Sequence, residues 1–315
     1  MKLFSRIRNL IGDQLRWYTL LWHHSTLFYP LARQFSNYLK TCQRIAPVHL
    51  TLSAPIKEAV AQFKNQGVAA FATTETTLLA EAVLEQLKAE ENRGLKVLDE
   101  DGRYLFDSFK RFPEFGKLFN SVVGEFLNGV LGCHYSIYYS IIYKSVRKAE
   151  EPMGSALWHH DGGPGTCINL MFCLSETSAQ NGAMKTLPWG YSLEIFRKYA
   201  ELNSRIKNAL AINPSLTKMQ VRTIKTDYFK EQIEGSYVHK VIQPVGGPGI
   251  VYAFKNNCIH AGGFPDIGYE RYVCIFHIYP SKYPTNLAWY EKYGTKKRGP
   301  YPSRPDEIDR LIFGS

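Results

Sequence analysis

The pattern of hydrophobic and polar positions predicts helices in the first part of the chain. Apolar residues recur at helical spacing in "ETTLLAEAVLEQLKAEEN" (75–92), a stretch that also consists mostly of strong helix formers. A second amphipathic helix is predicted in "FGKLFNSVVGEFLNGVLG" (115–132), and Gly132 is expected to end it as a C-cap. Residues 1 to about 95 are therefore expected to be mainly helical.

From Cys133 onward the pattern becomes typical of β-strands. Four segments are dense in β-branched and aromatic residues and are divided by turns that contain Gly, Pro and Asn. These segments are 133–145, 166–176, 249–254 and 272–280. Between the second and the third, "SLEIFRKYAELNSRIKNALA" (192–211) predicts a helical insertion. Helices followed by many short strands indicate an α+β domain whose core is a β-sandwich or barrel.

The chain shows no internal repeat, no low-complexity tract and no linker, so its 315 residues are expected to form a single domain. The expected parts are an N-terminal helical region (1–115), a strand-rich core (116–281) with a helical insertion at about 192–240, and a C-terminal extension (282–315).

Charge is uneven along the chain. The net charge is +10, and residues 1–57 contain one acid, Asp13, among eight lysines and arginines and many Trp, Tyr and Leu residues. This composition is typical of a helix that lies on a membrane surface, and equally of a helical layer whose basic side chains are solvated. Both interpretations stay open. A positive balance favours anionic partners, including an anionic substrate.

No segment is apolar enough to span a membrane or to act as a cleavable signal peptide. The six cysteines form no CxxC pair and are expected to be free, mostly buried thiols in a reducing compartment. A cytoplasmic protein is expected, with peripheral membrane contact as the open alternative. The basic stretch "KKRGPYPSRP" (296–305) is expected to be a solvated loop, and no nucleic-acid partner is expected.

The stretch "LWHHDGGPG" (157–165) holds the candidate chemistry. On a strand, residues two apart share a face, so His159 and Asp161 can converge while His160 points the other way. The alternative is a polar turn held by its own hydrogen bonds. A third ligand is available in "NNCIHAGG" as His260, and two histidines with one carboxylate are typical of non-haem Fe(II) oxygenases.

Arg271 follows His260 by eleven residues, at the head of the strand "RYVCIFHIYP". Its guanidinium can form a two-pronged pair with a carboxylate bound near the metal. Chelation by a metal at one end and pairing with an arginine at the other describe how a dicarboxylic keto acid would bind. Each motif alone is weak, but their combination in a strand-rich context is specific.

The order and spacing of these motifs resemble the 2-oxoglutarate/Fe(II)-dependent dioxygenases, in particular the phytanoyl-CoA dioxygenase-like family. The resemblance covers about residues 115–280 and includes "LNGVLG", "HHD", "QNGAMKTLPWGYS", "PVGGPGIVYAFKNNCIHAGG" and "YERYVCIFHIYP". It implies a double-stranded β-helix (jelly-roll, cupin-like) core. It also implies Fe(II) held by His159, Asp161 and His260, with 2-oxoglutarate as a cosubstrate paired to Arg271.

Two departures from the family pattern stand out. The family's Pro-Gly-Ser-His element is "LPWGYS" (187–192), and Gly262 stands where a small polar residue often follows the distal histidine. Another donor to the cosubstrate is therefore expected, and Tyr139, Asn169 and Tyr143 are the candidates.

Three neighbouring residues are expected to have no direct part in the chemistry. His160 is expected to be structural or to support the ligands, Trp158 to belong to the core, and His277 to be packed or partly exposed.

The resemblance implies an enzyme that uses O2 to hydroxylate a C–H bond of a small-molecule, lipid or glycolipid substrate and releases succinate and CO2. Because Asp161 is present, the pattern is that of a hydroxylase rather than a halogenase. Two alternatives are a non-catalytic jelly-roll protein that binds metal or acts as a scaffold, and a cupin-type metalloenzyme that uses no keto acid. The complete triad argues against the first, and Arg271 argues against the second.

Overall fold

A computed structural model describes most of the chain, namely residues 32–93, 104–147, 150–152, 154–161, 165–295, 302 and 304–314. The α-helices within these residues are α1 (Ala32–Ile45), α2 (Ala54–Gln66), α3 (Thr74–Asn92), α4 (Ser108–Arg111), α5 (Phe115–Phe119), α6 (Val122–Leu131), α7 (Trp189–Arg197), α8 (Tyr199–Ile212), α9 (Lys218–Gln232), α10 (Leu287–Tyr293) and α11 (Glu307–Phe313). The strands are β1 (Val68–Phe71), β2 (Tyr104–Phe106), β3 (His134–Val146), β4 (Ile168–Cys173), β5 (Lys185–Thr186), β6 (Val251–Lys255), β7 (His260–Ala261) and β8 (Glu270–Ser281). Of the basic N-terminal segment, residues 1–31 lie outside the described residues, as does most of the stretch 296–305.

The main sheet is antiparallel and has six strands in the order β1-β6-β4-β8-β3-β2. Its longest pairing joins β3 to β8, from His134 opposite Ser281 to Val146 opposite Glu270. A second, two-stranded sheet joins β5 to β7. All four strand segments predicted from the sequence lie in the main sheet, as β3, β4, β6 and β8, so the prediction of a domain with both helices and strands is confirmed.

The N-terminal part differs from the sequence prediction because it contributes β1 to one edge of the sheet. The left-handed conformation of Gly67 (φ 71°) ends α2 and turns the short apolar strand back against β6. The predicted helix at 75–92 is confirmed as α3, which begins with a capping box between Thr73 and Thr76.

The helix predicted at 115–132 is two helices, α5 and α6, which meet at residues 120–121. The carbonyl of Phe119 accepts a 2.9 Å hydrogen bond from the Tyr135 hydroxyl and lies so close to Gly124 that a side chain there would overlap it. The break itself is at Ser121, whose backbone (φ −120°, ψ −145°) lies outside the helical region. The prediction for Gly132 is confirmed, because it ends α6 in the left-handed region (φ 66°).

The two faces of the main sheet have different neighbours. On β8, one alternating set packs in the hydrophobic core with helices α2 to α6, and this set is Tyr272, Cys274, Phe276 and Ile278. The opposite set lines a cavity, and it is Arg271, Val273, Ile275 and His277. Strand alternation thus separates a structural face from a face that is available for ligands.

Strand β3 changes which residues face the cavity by means of a β-bulge. Ile137 pairs with Ile278 and Tyr139 pairs with His277, so Tyr138 is the extra residue of the bulge. Before the bulge, Tyr135 and Ile137 pack in the helix-side core. After it, residues of the same parity line the cavity, and they are Tyr139, Ile141 and Tyr143.

The segment predicted as a helical insertion forms α7, α8 and α9 with a hydrophobic cluster of its own. That cluster includes Phe196 and Phe229, and it contacts Ile259 and Trp158, the residues beside His260 and His159. The insertion therefore packs directly on the segments that hold the candidate ligands. None of the described helices is both long and apolar enough to cross a membrane.

Candidate metal centre

His159 and His260 are held side by side by a backbone pairing. The amide of each donates to the carbonyl of the other, at 2.8 Å and 2.7 Å, in an isolated antiparallel bridge. Residues directly opposite each other in such a pair have side chains on one face, and the two imidazole centroids lie 4.3 Å apart. Two backbone hydrogen bonds thus bring together two histidines that are about a hundred residues apart in the sequence.

Asp161 completes the group. Its amide donates to the carbonyl of Asn256 at 3.2 Å, and its Oδ1 lies 3.8 Å from Nε2 of His159 and 3.8 Å from Nε2 of His260. One donor atom from each of the three residues lies within 4.8 Å of the others. Two atoms that each lie about 2.1 Å from one ion are at most about 4.2 Å apart, so separations of 3.8 Å suit a shared metal ion.

The tautomers of both histidines suit metal binding. Nδ1 of His159 lies 2.7 Å from the carbonyl of Leu157, and Nδ1 of His260 lies 2.8 Å from the carbonyl of Cys258. A carbonyl only accepts, so each Nδ1 carries a hydrogen, and in the neutral form of either ring the lone pair lies on Nε2, the atom that faces Asp161. Burial, together with nearby His260, lowers the pKa of His159 to about 4, which keeps this ring neutral at physiological pH.

The two carboxylate oxygens of Asp161 have different neighbours. Oδ2 accepts a 2.6 Å hydrogen bond from the side-chain amide of Asn169, while Oδ1 faces the two histidines. Burial opposes ionisation of Asp161, but the neighbouring His260 and His159 outweigh it and hold the pKa of Asp161 below its usual range. One oxygen of an ionised carboxylate is therefore directed at the position that a metal would occupy.

The triad faces a cavity of about 230 Å³ that Arg271 also lines. Arg271 is only 2% exposed, one of its terminal nitrogens donates to the carbonyl of Gly262 at 2.8 Å, and its buried Nε has no partner. Within the described part of the chain no carboxylate pairs with it, whereas the adjacent Glu270 pairs with Lys144 at 3.2 Å. Burial lowers the pKa of Arg271, which reflects the cost of an uncompensated charge in this position.

The other residues singled out in the sequence fall on both sides of the centre. Tyr139, Tyr143 and Asn169 all line the cavity, although the Asn169 amide is already bonded to Asp161. His160 lies on the insertion side, where its Nε2 is 2.9 Å from the Tyr199 hydroxyl, in agreement with the predicted strand alternation.

The structure explains why Gly262 has no side chain. Its amide donates to the carbonyl of Ser155 at 2.7 Å, and a Cβ at this position would lie 3.0 Å from the same oxygen. The close approach of the two backbones leaves little room for the small polar residue expected there.

His277 is partly exposed, as expected, but it also lines the cavity, which the sequence analysis did not predict; its ring lies 5.2 Å from that of Tyr139, and it helps to lower the pKa of Asp161. The signal was present, because His277 follows Arg271 by six residues on one strand and an even spacing places both on the same face. Ser155 also lines the cavity, but its irregular surroundings offered no pattern.

Neither a family model nor a curated protein matches this sequence. Solved structures do match. EctD from S. alaskensis with bound Fe aligns with a TM-score of 0.50 and 14% identity over 80% of this chain and 89% of that chain. EctD with 2-oxoglutarate and 5-hydroxyectoine gives a TM-score of 0.50 and 14% identity over 83% and 90%. AviO1 from Streptomyces viridochromogenes Tue57 gives a TM-score of 0.47 and 15% identity over 75% and 99%. The likeness to EctD shows that this chain shares the fold of that protein.

Proposed function

We propose that this protein is a non-haem Fe(II)- and 2-oxoglutarate-dependent oxygenase that hydroxylates a C–H bond of a small-molecule, lipid or glycolipid substrate. The observation that carries the proposal is the joint placement of two features in one cavity. One is the triad of His159, Asp161 and His260, and the other is the buried guanidinium of Arg271, which has no carboxylate partner among the described residues.

The donor set suits Fe(II). Two neutral imidazoles and one carboxylate that offers a single oxygen make a mixed nitrogen and oxygen site, which first-row transition metals prefer to the all-oxygen shells of calcium and magnesium. Three protein ligands leave positions open for a cosubstrate and O2. With a single carboxylate the centre has a net charge of +1, which favours a further anionic ligand. The structure of EctD with bound Fe supports this choice of metal for the shared fold.

Arg271 is the proposed partner of the remote carboxylate of 2-oxoglutarate. A carboxylate at its unpaired Nε would neutralise a charge that burial otherwise makes unfavourable. Tyr139 and Tyr143 line the same cavity and are proposed as hydroxyl donors to the cosubstrate. Asn169, first considered for that role, is proposed mainly to orient Asp161. EctD has been solved with 2-oxoglutarate bound, which supports this use of the fold.

The double-stranded β-helix is proposed as the detailed architecture. The main sheet forms one wall, and a second wall is built from short pairings that run from His159 opposite His260, through β7 and β5, to Thr186 opposite Ile242. A further bridge joins Thr177 to Gly246. The ligand histidines then lie on the second wall and Arg271 on the first, with the cavity between them. We propose one dioxygenase domain over residues 1–315, with the regions 1–115, 116–281 and 282–315 as expected from the sequence.

The chain's residues have distinct tasks in this reaction. When bound, iron and 2-oxoglutarate supply the oxidising chemistry, in which O2 is consumed and succinate and CO2 are released. The triad fixes the position of the metal, and Asn169 holds the orientation of the carboxylate. Arg271 orients the cosubstrate, and the insertion, packed against Trp158 and Ile259, limits access of water to the site.

We also propose a cytoplasmic location. All six cysteines are free and buried, as the sequence predicted, and unpaired thiols are typical of a reducing compartment.

The reaction is tested by measuring succinate release from purified protein with Fe(II), 2-oxoglutarate and a panel of metabolite and lipid extracts. At least one extract should stimulate release by the wild-type protein, and the Asp161→Ala variant should release none above the metal-free background. Equal release by wild type and the Asp161→Ala variant would contradict the proposal.

A further inference from the structure

His277 lies at the opposite end of the cavity from Arg271. The two residues both line the cavity and are six apart on β8, which separates their Cα atoms by about 20 Å along the strand. Between them the cavity face of the sheet is apolar, because Val273 and Ile275 occupy it on β8 and Met171 lies opposite Ile275 on β4. A keto acid bound between the metal and Arg271 would cover this apolar stretch.

A row of residues across four strands marks the metal end of the cavity. Each member pairs with the next in the main sheet, and the row is Phe254, Asn169, His277 and Tyr139. Two candidate ligands contact this row. The Asn169 amide donates to Asp161 at 2.6 Å, and the ring of Phe254 lies 4.9 Å from that of His260. His277 is therefore the residue of β8 that stands beside the metal position.

The exposure of the side chains shows which end of the cavity is open. Arg271 is 2% exposed and Val273 is fully buried, whereas His277 and Tyr139 are half-buried. A cosubstrate held by Arg271 thus lies at the closed end. A substrate that reaches the metal afterwards has to approach past His277 and Tyr139.

The β-bulge of β3 brings Tyr139 against His277. At this bulge the amide of Ile137 donates to the Tyr290 hydroxyl of the C-terminal extension at 2.9 Å. Bulges beside active sites commonly redirect a side chain. Here the redirected ring of Tyr139 packs edge-on against the imidazole of His277, with centroids 5.2 Å apart, and so limits the movement of that imidazole.

We infer that His277 binds a hydroxyl group of an uncharged substrate at the open end of the cavity. This inference rests on the proposed function and adds to it the chemical class of the substrate, an alcohol or a sugar. A neutral imidazole donates from one nitrogen and accepts at the other, which matches a hydroxyl group. Among the described residues that line the cavity, Arg271 is the only permanent cation, and it is assigned to the cosubstrate. The anionic substrate that the net charge favours would need a second cation here.

Footprinting with diethyl pyrocarbonate tests the location. This reagent transfers an ethoxycarbonyl group to an imidazole nitrogen, and peptide mass spectrometry of the full-length protein locates the label. With Mn(II) bound, saturating 2-oxoglutarate should leave the labelling of His277 unchanged. An extract that saturates succinate release should then lower it about tenfold, while the labelling of the exposed His239 stays constant. Protection of His277 by 2-oxoglutarate alone, or none by the active extract, would overturn the inference.

Anion exchange tests the chemical class. The component that protects His277 should pass through an anion-exchange resin at pH 8 and should lose its effect after its hydroxyl groups are acetylated. Retention on the resin would show that an anionic group is bound, and unchanged protection after acetylation would show that no hydroxyl is needed. Either result would contradict the inference.

Substitutions test the hydrogen bond itself. His277→Phe should lower extract-stimulated succinate release about tenfold, and His277→Gln, whose amide both donates and accepts, should recover most of it. Calorimetric affinity for 2-oxoglutarate with Fe(II) should be the same in both variants as in wild type, which a general loss of structure would not allow. His239→Phe is the matched control and should change neither quantity. Equal losses in the Phe and Gln variants would overturn the inference, whereas failure of the proposed function would appear as absence of metal-dependent 2-oxoglutarate binding in wild type.

Discussion

At the scale of single residues, the candidate centre depends on hydrogen bonds that leave particular atoms available. Backbone carbonyls accept hydrogen bonds from Nδ1 of both histidines, and the side-chain amide of Asn169 donates a hydrogen bond to one oxygen of Asp161. What remains are two nitrogen lone pairs and one carboxylate oxygen that converge on one point. The sequence motif predicts which residues converge, but it does not predict these partners, because they come from backbone geometry and from a separate strand.

Replacing Asn169 with alanine should weaken metal binding without removing it. The free Oδ2 of Asp161 would let the carboxylate rotate, and loss of such a supporting contact typically costs about 10- to 100-fold in metal affinity. Titration of Mn(II) by electron paramagnetic resonance measures this. Asn181→Ala, at a buried asparagine bonded to Ser178 and Glu176, is the control and should lower stability without changing metal affinity. Unchanged affinity in Asn169→Ala would contradict the assigned role.

Replacing Arg271 with methionine should stabilise the ligand-free protein. A buried charge without an acidic partner in the described part of the chain is unfavourable, and apolar replacements of even paired buried charges often add about 1–4 kcal/mol to the free energy of unfolding. The variant should also lose the stabilisation that 2-oxoglutarate gives to wild type, which is about 2.7 kcal/mol at 100 times the dissociation constant. Thermal unfolding with Mn(II), with and without 2-oxoglutarate, tests both effects. A variant that 2-oxoglutarate still stabilises fully would exclude the role of Arg271.

At the scale of elements, strand alternation predicts which residues of β8 face the cavity, but it fails for part of β3. The spacing of β8 places Arg271 and His277 on one face without ambiguity. On β3 the bulge at Tyr138 reverses which alternate residues face the cavity. Tyr139 therefore lines the cavity, although Ile137, two residues earlier, packs in the core. No local pattern marks this bulge. Tyr139, a candidate donor to the cosubstrate, lines the cavity, but strict alternation along β3 would place Ile137 there as well, whereas Ile137 packs in the helix-side core.

In the turn before β6, stability should be sensitive to substitution at Gly249 but not at Gly247. Gly249 has a φ of 89°, and a Cβ there would lie 2.4 Å from the Cα of Thr77 in α3. Gly249→Ala is therefore expected to lower the free energy of unfolding by about 2 kcal/mol or more in urea denaturation. Gly247→Ala is the matched control, because nothing lies near its Cβ position and its φ is ordinary, and it should change stability little. Similar effects of both substitutions would show that this contact is unimportant.

Lys225 in α9 should make stability depend on pH. Its folded pKa of about 7 lies below the ordinary value of 10.5, so between these pH values the unfolded chain binds a proton that the folded chain lacks. The destabilising contribution of Lys225 is then full below pH 7 and disappears as pH rises toward 10.5. Lys225→Met should raise the unfolding temperature most near pH 6.5, with a difference from wild type that shrinks by pH 10. The exposed, ion-paired Lys230 is the control, and an equal pH dependence in Lys230→Met would contradict this interpretation.

At the scale of the whole molecule, two hydrophobic clusters support the candidate centre without lining its cavity. The larger joins the main sheet to helices α2 to α6, and the smaller belongs to the insertion and contacts the ligand-bearing segments. The sequence predicts both regions from their periodicity. It does not predict that β1, from the N-terminal part, completes the sheet, or that α9 packs against Trp158 and His160, because such contacts between distant segments leave no local pattern.

The most direct test of the central claim is calorimetric titration of 2-oxoglutarate into oxygen-free protein with and without Fe(II). Wild-type protein should bind 2-oxoglutarate tightly only when Fe(II) is present, Asp161→Ala should not bind it in either condition, and Arg271→Gln should bind it about 100-fold more weakly while keeping its affinity for the metal. Binding of equal strength without metal, or in the Asp161→Ala variant, would show that the triad and Arg271 do not form a joint site for the metal and the keto acid.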